Sequence, residues 1–247
     1  MRLPILLGLP LLALACGAQA AETTPQPVKL TLEWNLSIDA QGHVTRLDAV
    51  ENPRASPLPQ VREKLDQAIR GWRFTPGTID GQGEPTNTLL VVAVALLPQG
   101  GDAYRIRVDD ARTGGRIAKA VPPHYPYEAV HNYTSGMVVV RAEYDASGRV
   151  TSATLEQGAP AAPTSLTKAA IDAVRHWTFQ PERVGGRGVA GTDVFPVCFS
   201  VMPLGAKPPA TNCNWTPPGH AIAIGEGQAL ALGPATQLLT EVAGQTL

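Results

Sequence analysis

The side chains able to do chemistry are few and poorly spaced for it. Five histidines occur, His43, His124, His131, His176 and His220, and the nearest candidate ligand pairs, His124 with His131 and Cys213 with His220, are each seven positions apart. Neither spacing matches a zinc finger or the helical histidine pair of a zinc hydrolase, so no metal centre is expected. Asp39 and Asp145 recur because each opens a Gly-containing turn, Asp39-Ala40-Gln41-Gly42 and Asp145-Ala146-Ser147-Gly148, which explains them without a paired acid and base. The sequence contains no Gly-x-Ser-x-Gly elbow and no phosphate loop, and Gly225-Glu226-Gly227 lacks the strand-turn-helix setting of a dinucleotide site. The reading is a non-catalytic protein with no cofactor and no small-molecule substrate.

Thiol chemistry is what remains, and it depends on the compartment. Met1 and Arg2 give a short basic start, Leu3 to Ala15 an apolar run broken by Pro4 and Pro10, and Ala18-Gln19-Ala20 a small-x-small cleavage signal. Residues 1–20 therefore read as a secretory signal peptide, the alternative being a retained membrane anchor. A lipid on Cys16 is disfavoured by the bulky Leu14 two residues before it. Export leaves Cys198 and Cys213 in an oxidising compartment, where a disulfide across their 15-residue separation is the expectation and two unrelated thiols the alternative. With 20 basic and 21 acidic side chains and a net charge of -1, the chain has no field to recruit nucleic acid.

The elements that must position these residues occur twice. At an offset of 105 or 106 residues the Asp39 turn falls on the Asp145 turn, and Trp72-Arg73-Phe74-Thr75-Pro76 falls on Trp177-Thr178-Phe179-Gln180-Pro181. Leu30, Leu32, Trp34, Leu36 and Ile38 alternate with polar residues, as a strand with one buried face requires, and Val138, Val140, Ala142 and Tyr144 match them. Gly42 and Gly148 supply the turn residue from which a second strand returns. Val61, Leu65, Ala68, Ile69 and Trp72 then follow helical spacing, repeated by Leu166, Ala170, Ala173, Val174 and Trp177. Pro76 and Pro181 stop the helices, and a last apolar segment follows, Thr88 to Leu97 or Val194 to Val201. The thirteen aromatics, four Trp, five Tyr and four Phe, are scarce, so Trp72, Phe74, Trp177 and Phe179 at matched places read as core anchors.

The expected fold class is α+β: two tandem two-layer β-β-α-β domains, each a three-stranded antiparallel sheet with one helix packed on a face and the last strand at an edge. The expected boundaries are a signal peptide at 1–20, a first domain at 21–98, a polar connector at 99–119 with a short strand at Tyr104 to Val108, a second domain at 120–205, and a C-terminal extension at 206–247 without an assignable structure.

The second copy opens with Pro123-His124-Tyr125-Pro126 and Glu128-Ala129, continues through Gly136 to Asp145-x-x-Gly148-Arg149-Val150, and ends its helix in Trp177-x-Phe179-x-Pro181. In this order of motifs it resembles the TonB C-terminal domain, the periplasmic end of the energy transducer of Gram-negative bacteria. The likeness covers Val121 to Leu204 well and Val28 to Leu97 in part. It implies a periplasmic protein that binds an envelope protein, an outer-membrane TonB-dependent receptor or inner-membrane motor components, in transport across the outer membrane; the alternative is a scaffold uncoupled from the motor. In that family an edge strand accepts an extended segment of the receptor. An exposed edge offers unpaired N–H and C=O groups to such a segment. The docking edges expected here are Thr88, Leu90, Val92 and Val94 in the first copy and Val194, Val197 and Phe199 in the second. Pro196 lacks an N–H, which makes the first copy the cleaner template and the predicted site of preferred binding. Tyr125 and Pro126 are expected to pin the start of the first strand of the second copy rather than to touch a partner.

Overall fold

The computed structural model describes residues 26–51, 59–101, 103–203, 205, 213–220 and 222–247. The expected signal peptide, with Cys16, lies outside the described residues. The fold is mixed α+β, mostly strands with few helices. The first half holds β1 (Val28–Ile38), β2 (Val44–Ala49), α1 (Pro59–Arg70), three two-residue strands, β3 (Phe74–Thr75), β4 (Thr78–Ile79) and β5 (Gln82–Gly83), and the long β6 (Thr86–Pro98). Then come β7 (Tyr104–Gly114), β8 (Arg116–Lys119), α2 (Tyr127–His131), β9 (Gly136–Tyr144), β10 (Val150–Leu155) and α3 (Thr164–Val174). The chain finishes with β11 (Thr178–Gln180), β12 (Arg183–Val184), β13 (Arg187–Gly188), β14 (Gly191–Phe199), β15 (Leu230–Ala231) and β16 (Gln237–Leu238).

Alternation builds both central strands. Leu32, Trp34, Leu36 and Ile38 of β1 point into a core that Val61, Leu65 and Ile69 of α1 close from one side. Val138, Val140, Ala142 and Tyr144 of β9 face Leu166, Ala170 and Val174 of α3 in the same manner. β1 pairs antiparallel with β2 and β6, and β9 with β10 and β14. The tryptophans sit past the helix ends rather than on them: α1 ends at Arg70 and α3 at Val174, and Trp72 and Trp177 pack from the following turn, both buried.

The expected pair of three-stranded sheets is corrected. Among the described residues one sheet has six strands, ordered β13-β12-β6-β1-β2 with β7 also on β6, a second has four, ordered β10-β9-β14-β15, and β11-β8, β16-β3 and β4-β5 form two-stranded pairs. The short strand expected in the connector at Tyr104 to Val108 runs on to Gly114: β7 pairs with β6 from Leu89↔Gly114 to Pro98↔Tyr104. β12 and β13, which follow α3 in the chain, extend the first sheet through Arg183↔Asn87 and Val184↔Thr86, so the two halves share hydrogen-bonded structure.

The C-terminal residues act as a strap over both halves. Trp215, Ile224 and Leu230 cover Val139 and Val194 on the face of the second sheet opposite α3. Further on, β16 pairs with β3, Val242 enters the first core, and the amide of Leu247 donates to the Ile106 carbonyl at 2.8 Å.

Candidate functional site

Backbone direction alternates along a strand, so only every second residue of β14 offers its N–H and C=O to the side away from β9. The amide of Leu232 donates to the Thr192 carbonyl at 2.7 Å, which puts Thr192, Val194, Pro196 and Cys198 on that outer side. β15 occupies its beginning, pairing with Asp193 and Val194. From Pro196 to Phe199 no strand pairs with the outer side among the described residues. The groups left there are the Pro196 carbonyl and the N–H and C=O of Cys198.

A groove of about 440 Å³ runs beside this stretch, lined by Val121, Pro122, Tyr125, Trp177, Val197 and Phe199 among others. Its walls are fixed by specific contacts. The Trp177 indole N–H donates to the Val121 carbonyl at 2.8 Å and its ring stacks on Phe195 at 5.0 Å. The Tyr125 hydroxyl donates to the Thr134 carbonyl at 2.7 Å, and its ring meets Phe199 edge-on at 5.3 Å. Tyr125 is thereby bonded to the residues that lead into β9, while the Pro126 carbonyl accepts the amide of Val130 within α2. Cys198, at the middle of the free stretch, is disulfide-bonded to Cys213, with 6.0 Å between their Cα atoms. The bond fixes the C-terminal strap to β14 at a second point beyond β15.

The turn motif and the Trp-x-Phe-x-Pro motif prove to be one device. Gly148, at φ +84°, accepts the amide of Phe179 at 2.7 Å, and Gly42, at φ +79°, accepts that of Phe74 at 3.0 Å. A side chain at either glycine would collide with the carbonyl of that same Phe. Pro76 and Pro181 follow these contacts directly. The turn aspartates serve the same hairpins: Asp39 accepts the amides of Gln41 and His43 at 2.9 Å, and Asp145 accepts those of Ser147 at 2.8 Å and Arg149 at 3.1 Å. The Ser147 hydroxyl and the Arg149 amide hold the Asp145 carboxyl below the usual range, and the His43 amide does so for Asp39.

Two expectations about the docking edge are corrected. β6 lies between β1 and β7, so the backbone around Leu90, Val92 and Val94 is paired on both sides, and these side chains are buried in the first core. Thr88 is buried too, its hydroxyl donating to the Gly114 carbonyl at 3.2 Å. β6 is no edge, which removes the predicted preference for the first copy. In β14, Val194 is paired to Leu230, while Val197 and Phe199 turn their backbones to Val138 and Gly136. The free groups belong to Pro196 and Cys198, the residues between them. One sequence signal pointed to the fate of β6: Leu89 to Leu97 is apolar without alternation, the pattern of an interior strand buried on both faces.

Residues 121–201 match the family profile described as Gram-negative bacterial TonB protein C-terminal. Two curated relatives are similar over 80 residues at 35% identity: Protein TonB of Xanthomonas campestris pv. campestris strain B100 and Protein TonB of a second strain of that pathovar. Each match covers 32% of this chain and 35% of the relative, so the chain spans about a third of the length of the proteins it resembles. No solved structure matches. The matched region contains the whole of β9, β10, α3 and β14, and with them the free edge and most of its groove; it is this part of the chain, residues 121–201, that is similar to the TonB C-terminal domain.

Proposed function

We propose that the protein binds an envelope protein by strand addition to the outer side of β14, in TonB-dependent transport across the outer membrane. The observation that carries this reading is the outer side of β14 from Pro196 to Phe199, which no strand among the described residues pairs and which lies beside an apolar groove, within the region similar to TonB C-terminal domains. Main-chain bonds to Pro196 and Cys198 give the partner its register, and the groove takes apolar side chains from alternate positions. Because Pro196 lacks an N–H, the incoming segment places no carbonyl that needs a donor opposite it. The partner class is an extended segment of an outer-membrane receptor, and the compartment is the periplasm.

The first half is a divergent second copy of the same unit in this proposal. Its support is the matched strand order β2-β1-β6 and β10-β9-β14, together with the paired contacts Gly42 to Phe74 and Gly148 to Phe179. With β6 covered by β7, that copy serves as a platform and leaves docking to the second.

The test is a titration of the isotope-labelled exported chain with a synthetic peptide from the extended N-terminal segment of a TonB-dependent receptor. Shifts at the Cys198 amide and the Trp177 indole, with none along β2, are expected. Shifts confined to β2 or β10, or no saturable shift at all, refute the proposal.

A further inference from the structure

Where the C-terminal strap crosses β14 it covers a buried carboxyl pair that the docking edge does not use. Asp193 of β14 is fully buried, and Glu182, in the turn between β11 and β12, is 7% exposed. Both line a cavity of about 70 Å³ with Tyr144 and with Gly233, Pro234 and Ala235 of the strap. Asp193 Oδ1 accepts a hydrogen bond from the Tyr144 hydroxyl at 3.3 Å, while Oδ2 has no partner. Glu182 Oε2 accepts from the Ala235 amide at 2.5 Å, while Oε1 has no partner. The next strap residue, Thr236, is fully buried with its hydroxyl likewise unpartnered, and its carbonyl accepts from the Thr113 hydroxyl.

Among the described residues no positive charge compensates the pair. The groups acting on it are Tyr144 from β9, Thr88 from β6, the Glu182 charge on Asp193, and the amides of Ala235 and Thr236 from the strap. The strap carries no titratable side chain from Ala229 to Thr240. Arg183, next to Glu182 in the chain, turns its guanidinium to the Gly186 carbonyl at 2.5 Å. An ionised carboxylate here would lack both a counter-charge and a hydration shell. A proton removes the charge and supplies an O–H donor to a site otherwise rich in orphan acceptors, and the cavity has room for a bridging water.

We infer that Asp193 and Glu182 form a proton-binding site that latches the C-terminal strap to β14, so that the strap opens as the pH rises. Burial pushes the Asp193 carboxyl up to about 7, the Tyr144 bond opposing and the Glu182 charge adding, and burial raises Glu182 in the same direction. Opening returns Asp193 to water and toward the ordinary value of about 3.9. Between these two values the closed form holds a proton that the open form has lost. The opening equilibrium therefore increases by about tenfold per pH unit from roughly pH 4 to 7 and levels off above. Since β15 caps the outer side of β14 at Asp193 and Val194, opening lengthens the free edge. That consequence rests on the strand-addition reading; the latch itself does not.

Amide hydrogen exchange of the whole exported chain, with rates normalised to intrinsic exchange, reads the latch directly. Protection at Leu232 and Ala235 is expected to fall by about tenfold per pH unit up to neutrality while that of Val138 to Ala142 holds. Asp193→Asn keeps the shape without the charge and flattens the dependence, as Glu182→Gln does in part. A normalised protection of the strap that ignores pH overturns the inference, as does an unchanged slope in Asp193→Asn. Recovery of protection at pH 8 on adding millimolar calcium chloride also overturns it, by making the pair a cation site. A receptor peptide that fails to bind leaves this readout unaffected, so the two proposals fail separately.

Discussion

Replacing Gly148 by Ala tests the link between the hairpin turn and the Trp-x-Phe-x-Pro motif. Two costs add. The residue sits at φ +84°, where a side chain costs about 1–2 kcal/mol. An added Cβ would also lie 1.8 Å from the Phe179 carbonyl oxygen, and since contacts under 3.0 Å do not persist, the turn and β11 must part by roughly 1.2 Å, the difference of the two. That movement breaks the bond from the Phe179 amide to the Gly148 carbonyl, for about 1 kcal/mol more, or up to about 3 if the amide stays buried unpaired. The sum is about 3 kcal/mol. Gly186 provides the control, with φ +78° but nothing within 4 Å of an added Cβ, so Gly186→Ala costs only the conformational part, about 1–2 kcal/mol. Urea unfolding followed by tryptophan fluorescence measures both, and at a slope of about 2 kcal/mol per molar a loss of 3 kcal/mol lowers the midpoint by about 1.5 M. Gly42→Ala, where the added atom would meet the Phe74 carbonyl oxygen at 1.7 Å, should match Gly148→Ala. If Gly148→Ala and Gly186→Ala fall together, the turn does not hold the motif and the reasoning is wrong.

Two further outcomes follow from local contacts. Replacing Cys198 and Cys213 together by Ser removes a bridge of sequence separation 15, worth about 3 kcal/mol by loop entropy; the melting temperature should drop, and reductant should no longer affect it although it lowers that of the parent chain. The depressed Asp145 carboxyl stabilises the fold above its unfolded value of about 3.9, and that contribution disappears as the pH falls through the lower folded value. A carboxyl titration by carbon NMR should place its midpoint below that of ordinary aspartates, and Asp145→Asn should shift the acid limb of the stability profile; a midpoint in the ordinary range contradicts the hydrogen-bond assignment.

What the sequence made legible is what short-range physics decides. The alternation of β1 and β9, the turns at Gly42 and Gly148, and the stripes of α1 and α3 each depend on neighbours within a turn or two, and each lies where spacing put it except that Trp72 and Trp177 fall just past the helix ends. Of β7 only Tyr104 to Val108 was legible, because Ile106 and Val108 alternate for only a few residues before Asp109, Asp110 and Arg112 interrupt the pattern. Its length comes from backbone pairing with β6, which leaves no mark on composition. The strap was hidden for a related reason: β15 and β16 are two residues each, too short for any period, and Gly233 and Pro234 between them read as plain loop.

The fates of β6 and β14 show why a matched position does not imply a matched role. Each lies beside the central strand of its sheet, β6 on β1 and β14 on β9, and on motif order alone β6, without a proline, is the better template. An edge that pairs well, however, also pairs with its own chain: β6 offers an unbroken row of donors and acceptors, and β7 takes it from Leu89 to Pro98. β14 is interrupted on its outer side by Pro196, and among the described residues its own chain pairs with that side from Thr192 to Val194 and no further. The proline that weakens the edge as a template is thus also what keeps a long intramolecular strand off it. A Pro196→Val chain should on this logic extend the pairing of β15 along β14 and protect the Cys198 amide from exchange, at the expense of any added strand from outside; a Cys198 amide that stays as exposed as before would mean that something other than the proline keeps the edge free.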